Sequence, residues 1–176
     1  MMENTLKTYD SLDIACYIKD LCKSNKIRFG KTKMNKLMYI AYGIILAEYD
    51  HVMTTEIPHY WPQGPVFPHA NNKIEKTACN YNHNIDQITK EIISMVVLNW
   101  GRQTAEQLSD WSHEEGSPWD KMFKAEAKYN SKMNNNDIKE YFSKEVLQSH
   151  NIPDNYFDNE TWYTANSAEE LFNARN

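Results

Sequence analysis

The spacing of apolar residues along the chain predicts a mainly helical protein. A first helix is expected from Asp10 or Ser11 to about Ser24, because its apolar residues recur at helical spacing and form one stripe. This stripe consists of Ile14, Ala15, Ile18, Leu21 and Cys22. A second helix, capped by Thr32, should bury one face. That face comprises Met34, Leu37, Met38, Ala41, Ile44, Ile45 and Glu48. Gly43 within it costs about 1 kcal/mol relative to alanine, which indicates a close helix contact there.

Helical patterns continue in the second half of the chain. A short helix is predicted from about Asn71 to Asn80. The segment 86–100 is the candidate for the central helix, because it is apolar almost all the way round. Its main stripe is Ile88, Ile92, Met95, Val96 and Asn99. Thr104 and Gln107 form a capping box that predicts a helix from 105 to about 113.

Two further helices are predicted before residue 148. Ser117 as the N-cap and Pro118 at the first helical position begin one of them, whose apolar face should be Trp119, Met122 and Phe123. Three asparagines at 134–136 form a polar break before the next helix. That helix should run over 137–147 and direct four residues inward, namely Ile138, Tyr141, Phe142 and Leu147.

The helices are interrupted by a proline-rich loop over residues 61–69, with the sequence WPQGPVFPH. Three prolines fix φ and remove three backbone donors, and Gly64 alone takes positive φ without strain, so we expect a rigid connector. The preceding segment, 50–58, is predicted to form a turn and a short extended piece. The fold class is therefore mainly α: a single-domain helical bundle over 1–148 with a short extended or β-hairpin segment, a rigid Gly-Pro-Val loop, and a C-terminal tail over 149–176.

Charge is distributed unevenly along the chain. The net charge of −5 argues against general affinity for nucleic acid. Residues 19–36 nevertheless hold seven basic residues and one acid, a local charge of +6. This basic patch is either a solvated helix end or a docking patch for an acidic partner, with Lys31 and Lys33 as the candidate contacts. A DNA-binding regulator of a prophage or of its own operon is the alternative function that the patch suggests.

Cysteine usage and hydropathy indicate a cytoplasmic protein without a membrane partner. Cys16, Cys22 and Cys79 are expected to be reduced and to act as small apolar side chains, since Cys16 and Cys22 are spaced wrongly for a bridge. The N-terminal residues lack the apolar run of a signal peptide. The longest apolar stretch, 92–98, is far too short to span a membrane.

No specific catalytic constellation is present in the sequence. His113-Glu114-Glu115 lacks the second histidine that zinc hydrolases place nearby, and the six histidines never pair at i, i+4. Phosphate-binding and dinucleotide-binding glycine loops are missing as well. We therefore expect no enzyme, no catalytic residue, no metal and no cofactor. A hydrolase that uses His113 with Glu114 or Glu115 is the least favoured alternative.

Two segments together resemble the Panacea, or SocA-like, domain family. The first segment contributes Lys36, Leu37, Tyr39, Trp61, Gly64, Pro65 and Val66. The second contributes Leu108, Ser109, Trp111, His113, Pro118 and Trp119. These motifs occur in the family's order at about its spacing, over roughly 13–142. The chain departs from the pattern in having Pro62 and Gln63 where an aromatic residue often precedes Gly-Pro-Val, and its tail lies outside the resemblance.

The resemblance implies an antitoxin without known catalytic residues, of the kind found in toxin–antitoxin pairs and in prophage-associated proteins. Its expected partner is a cognate toxin protein. Neutralisation would occur by direct binding, with delivery of the toxin to a protease such as ClpXP as one possible mode.

Contacts with the partner are predicted in the loop and in the tail. The loop candidates are Trp61, Gln63 and Phe67, and the tail candidates are Tyr156, Phe157 and Trp162. The tail carries five acidic residues and one arginine, a net charge of −4, so it suits a segment that folds onto a partner or one that packs on its own domain. Alternatively, four aromatic motif residues pack together in a core, with His113 bonding loop carbonyls. These four are Tyr39, Trp61, Trp111 and Trp119.

Overall fold

Seven helices and one small sheet form from residues 5–80 and 83–148, which are the residues that the computed structural model describes. The helices are α1 (Ser11–Ser24), α2 (Lys31–Tyr49), α3 (Pro68–Lys73), α4 (Gln87–Trp100), α5 (Ala105–Ser112), α6 (Pro118–Lys124) and α7 (Asn135–Tyr141). A 3-10 turn, Ile74–Lys76, extends α3, and a π-helical turn, Phe142–Val146, extends α7. The strands β1 (His59–Trp61) and β2 (Gly64–Val66) form an antiparallel hairpin. The mainly α prediction is confirmed.

Local capping residues determine most of the helix starts. The Asp10 and Asp86 side chains accept hydrogen bonds from backbone N–H groups in the first turns of α1 and α4. Thr104 and Gln107 form the predicted capping box at α5, and Ser117 caps α6 ahead of Pro118. These starts were predicted correctly because each cap bonds a backbone group only two or three residues away.

The central helix is α2, and the prediction that 86–100 would be central was wrong. Every residue from 33 to 46 is buried, because α2 packs against α1, α4, α5, α7 and β2. Several polar side chains on α2 are tolerated inside because they hydrogen-bond to partners outside the helix, as Lys33 does with the Gly101 carbonyl. Gly30, rather than Thr32, precedes the helix, and Glu48 is exposed rather than buried.

Several other details differ from the sequence prediction. The hairpin forms within the proline-rich loop rather than in 50–58, with Trp61 paired with Gly64 across the turn. The helix expected over 71–80 begins at Pro68 and ends in the 3-10 turn at Lys76. Asn99 and Phe123 point outward although both were assigned to buried faces.

The predicted close contact at Gly43 is confirmed. A Cβ atom placed on Gly43 would overlap ring carbons of Phe142, in the turn that follows α7. Glycine therefore allows that aromatic ring to pack directly on the α2 backbone.

A disulfide joins Cys16 on α1 to Cys79 in the loop before α4, with their Cα atoms 5.4 Å apart. This corrects the expectation of three reduced thiols. The pairing depends on α3 and the 3-10 turn packing against α1, which brings together residues 63 positions apart in sequence. Cys22 alone of the three is a free, buried thiol. Within the described residues, no helix has the length and hydropathy needed to cross a membrane.

Candidate functional site

Lys36, the first residue of the family motif, is fully buried beneath the hairpin. Its Nζ donates a hydrogen bond to the Pro65 carbonyl over 3.1 Å, which ties α2 to β2. Lys36 has no salt bridge to an acidic side chain in the described part of the chain. Burial therefore lowers the pKa of this lysine to about 7, since nothing offsets the lost hydration of its charge.

Gly64 allows the strand β2 to pass close to α2 and α5, and it adopts the positive φ that the sequence predicted. Its φ of +102° lies in the left-handed region, and an added Cβ would lie 2.5 Å from Ser112 Oγ and 2.6 Å from Lys36 Cε. A larger residue would push the hairpin away from both helices. Pro65 and Val66, which follow it, are buried as well.

Two further polar side chains hold the backbone of the same region. Asn35 Oδ1 accepts from the Phe67 N–H over 2.9 Å, and Ser109 Oγ donates to the Gln63 carbonyl over 3.2 Å. Lys36, Asn35 and Ser109 are here called the hairpin clamp. Asn35 was missed at the sequence level, although its position beside Lys36 on a buried helix was the available signal. The clamp fixes the backbone of the hairpin and of Phe67 to α2 and α5 through three hydrogen bonds.

The four motif aromatics do not form the single cluster that was proposed as an alternative. Tyr39 and Trp111 pack with Phe142 in the interior, at centroid distances of 5.4 to 6.3 Å. Trp119 lies on the other side of the hairpin, where its indole N–H donates to the Trp61 carbonyl over 2.8 Å. The motif therefore supplies one inner aromatic cluster and one aromatic group at the surface.

The surface group is here called the aromatic platform, and it consists of Tyr60, Trp61, Trp119, Phe123 and Tyr129. Phe123 stacks on Trp119 at 5.4 Å with an interplanar angle of 9°, and Tyr60 lies 5.3 Å from Trp119. Tyr129 packs 5.4 Å from Trp61. Phe123 and Tyr129 are 58% and 63% exposed and are the two exposed large apolar residues in the described part of the chain. Of these five residues, Trp61 alone was predicted from the sequence to contact a partner. The signal for Tyr129 was a lone tyrosine in the polar segment 125–132.

His113 packs against Trp119 of the platform, with their ring centroids 3.8 Å apart. Its Nε2 atom is buried and has no hydrogen-bond partner among the described residues, so the expected bonds from both ring nitrogens to loop carbonyls were wrong. Burial, and then the nearby Lys36 charge, lower the pKa of His113 below its ordinary value. The neutral imidazole therefore acts as a packing group.

A cleft of about 450 Å³ lies beside the platform and is here called the acidic cleft. Its lining is Trp111, Glu114, Glu115, Gly116, Tyr141, Glu145 and Val146. Burial raises the pKa of Tyr141 to about 12, with further contributions from the charges of Glu114 and Glu145. The cleft thus combines carboxylates with two aromatic walls, a combination suited to a cation.

Some of the predicted partner contacts are accessible in the structure, and others are buried or lie outside the described residues. Gln63 is exposed and Trp61 is half-buried, so both are accessible. Phe67 is fully buried and packs on Tyr42, so its assignment to a partner surface was wrong. Tyr156, Phe157 and Trp162 lie outside the described residues, as does the whole tail.

The basic patch is smaller than its sequence suggested. Lys33 is buried and donates to the Gly101 carbonyl over 2.8 Å, so it is not the surface contact that was predicted. Lys31 pairs with Glu75 over 3.1 Å, and Lys36 belongs to the hairpin clamp. Lys23, Lys26 and Arg28 of the patch are exposed. Lys33 and Lys36 are buried, so two of the seven basic residues do not lie on the surface that the DNA-binding alternative requires.

Comparison with known proteins agrees with the motif resemblance. Residues 34–120, which include the hairpin clamp and most of the platform, match the family described as Antitoxin SocA-like, Panacea domain. The chain is 28% identical to Antitoxin SocA of Caulobacter vibrioides over 132 residues, which cover 65% of this chain and 70% of that protein. No solved structure matches the chain. Residues 34–120 of this chain therefore match the SocA-like, Panacea domain, in agreement with the motif resemblance.

Proposed function

We propose that this protein is an antitoxin-type module that neutralises a cognate toxin by binding directly to it. The observation that carries the proposal is the match of residues 34–120 to the SocA-like antitoxin domain. The similarity to a protein named Antitoxin SocA supports it further. Two polar motif residues, Lys36 and Ser109, stabilise the hairpin through hydrogen bonds to its backbone. The aromatic residues at the surface are then available to contact a partner.

The test uses the product of the reading frame adjacent to this gene. That product alone should arrest growth of a host cell, and co-expression of the full chain should restore growth. The two proteins should then purify together as a complex of defined stoichiometry. If no neighbouring product is toxic, the proposal fails.

The proposed mode of action is blocking of the toxin, and delivery of the toxin to a protease such as ClpXP is the second mode. A host strain that lacks ClpXP separates them. Growth restored equally in that strain indicates blocking, because the bound toxin is silenced without degradation. Loss of rescue together with accumulation of toxin indicates delivery.

The proposal gives no residue a catalytic role. His113 is the residue to test, because its buried Nε2 has no described hydrogen-bond partner. A His113→Ala protein that retains its circular dichroism spectrum should neutralise the toxin as well as the unmodified chain. Loss of neutralisation with an intact fold and an unchanged toxin affinity would instead point to chemistry at His113.

A further inference from the structure

Two large aromatic side chains are exposed on the described surface, and each packs on a tryptophan of the aromatic platform. Phe123 and Tyr129 leave most of their ring area in water, although the other large apolar residues in 5–80 and 83–148 are buried or partly buried. Exposed apolar patches of this kind mark binding sites, and aromatic residues dominate the binding energy of protein interfaces. The aromatic platform is therefore the described surface best suited to hold a partner protein.

The platform is held in place before any partner arrives. The Trp119 indole N–H bonds to the Trp61 carbonyl, and the Trp61 indole N–H bonds to Asn130 Oδ1 over 2.9 Å. The Phe123 ring stacks on Trp119, and the Tyr129 ring packs at a tilt against Trp61. Ordered side chains lose little conformational entropy on binding, which favours affinity.

The acidic cleft adjoins the platform through α6, the helix that carries Trp119 and Phe123. Glu115 on the cleft wall pairs with Lys124 over 3.5 Å, and the Gly116 N–H donates to Asp120 Oδ2 over 2.9 Å. Lys124 follows Phe123 on α6, so this ion pair connects the helix of the platform to the wall of the cleft.

The charge and shape of the cleft specify a basic side chain. Glu114, Glu115 and Glu145 contribute three negative charges, and the nearby Lys124 is shared between Glu115 and Asp120. Glu114 has no salt bridge among the described residues. Trp111 and Tyr141 supply aromatic walls against which a guanidinium or ammonium group stacks favourably.

We propose that the aromatic platform and the acidic cleft form one interface, and that the toxin presents to it an apolar segment with an arginine or lysine that enters the cleft. The inference rests on the proposed function, since the occupant is the cognate toxin. Apolar contact with the platform supplies most of the affinity. The cleft supplies orientation and selects against partners without the basic residue.

The test measures the dissociation constant of the purified toxin, taken from the adjacent reading frame, for the full chain and its variants. Phe123→Ser should weaken binding about thirty-fold, as expected for a central aromatic contact, whereas Phe123→Tyr should retain it. The double variant Glu114→Gln, Glu115→Gln should weaken binding about tenfold at low salt and flatten its salt dependence. Glu106→Gln is the matched control, because it removes an exposed carboxylate of α5 outside the cleft.

The outcomes separate the inference from the proposed function. Binding within about twofold of the unmodified chain for Phe123→Ser, with the unmodified chain neutralising the toxin, would overturn the inference and leave the proposed function standing. If Phe123→Ser weakens toxin binding but the double variant Glu114→Gln, Glu115→Gln does not, the proposal that a basic residue of the toxin enters the acidic cleft is overturned. Failure of the unmodified chain to bind any neighbouring product would overturn both. Unchanged urea midpoints for all variants establish that losses of binding do not reflect unfolding.

Discussion

Replacing Lys36 by methionine should change how the stability of the fold depends on pH. Methionine keeps most of the volume of the lysine stem in a site that is fully buried, and it removes the titrating amine. It also leaves the Pro65 carbonyl without its donor, at a cost of about 1–3 kcal/mol. That cost does not depend on pH, so the pH dependence isolates the charge.

The magnitude follows from the folded and ordinary pKa values of the lysine. Burial lowers the pKa of Lys36 from its ordinary 10.5 to about 7, a difference equivalent to about 5 kcal/mol. Between these two values the unfolded chain binds more protons than the folded chain, so the free energy of unfolding rises with pH. The Lys36 contribution is most unfavourable below pH 7, and it improves by about 3 kcal/mol between about pH 6 and about pH 9.

Urea unfolding measures this contribution when it is followed by tryptophan fluorescence. The unmodified protein and Lys36→Met are each measured at about pH 6 and at about pH 9. Subtracting the free energy of unfolding of Lys36→Met from that of the unmodified protein cancels the titration of most other groups. His113 is the neighbour whose pKa also responds to the Lys36 charge. Lys33→Met is the matched control, because it removes a second buried lysine that bonds a backbone carbonyl. If the difference between the unmodified protein and Lys36→Met changes by less than about 0.5 kcal/mol over this range, the reasoning is refuted.

Two further predictions concern the backbone and the disulfide. Gly64→Ala should lower the free energy of unfolding by about 3 kcal/mol, because positive φ and overlap with Ser112 Oγ act together. Gly116→Ala, with φ of +82° but open space around it, should cost only about 1 kcal/mol in the same urea assay, and equal losses would contradict the steric argument. Cys79→Ser should lower unfolding free energy by about 4 kcal/mol in non-reducing buffer, given the 63-residue separation from Cys16. A dithiol should abolish that difference, and its persistence under reduction would count against the bond.

The motif residues of the candidate site were found from sequence, but their roles were not. Lys36 and Gly64 stood out as members of a family pattern, and positive φ was expected at Gly64 because no other residue of the proline-rich loop adopts it without strain. That Lys36 bonds the Pro65 carbonyl, 29 residues away, could not be read from the spacing. The exposed position of Phe123 was also misjudged, because a seven-residue helix does not specify which of its sides meets a neighbour.

The sequence by itself determined that the chain is mainly helical and where four of the helices begin. The caps at Asp10, Asp86, Thr104 and Ser117 operate through hydrogen bonds within one turn, so local sequence is sufficient. Only the tertiary structure decided that α2 is central, that Cys16 meets Cys79, and which aromatic rings remain in water. An apolar stripe indicates that one face of a helix will be buried. Which element buries that face depends on how all the helices pack together.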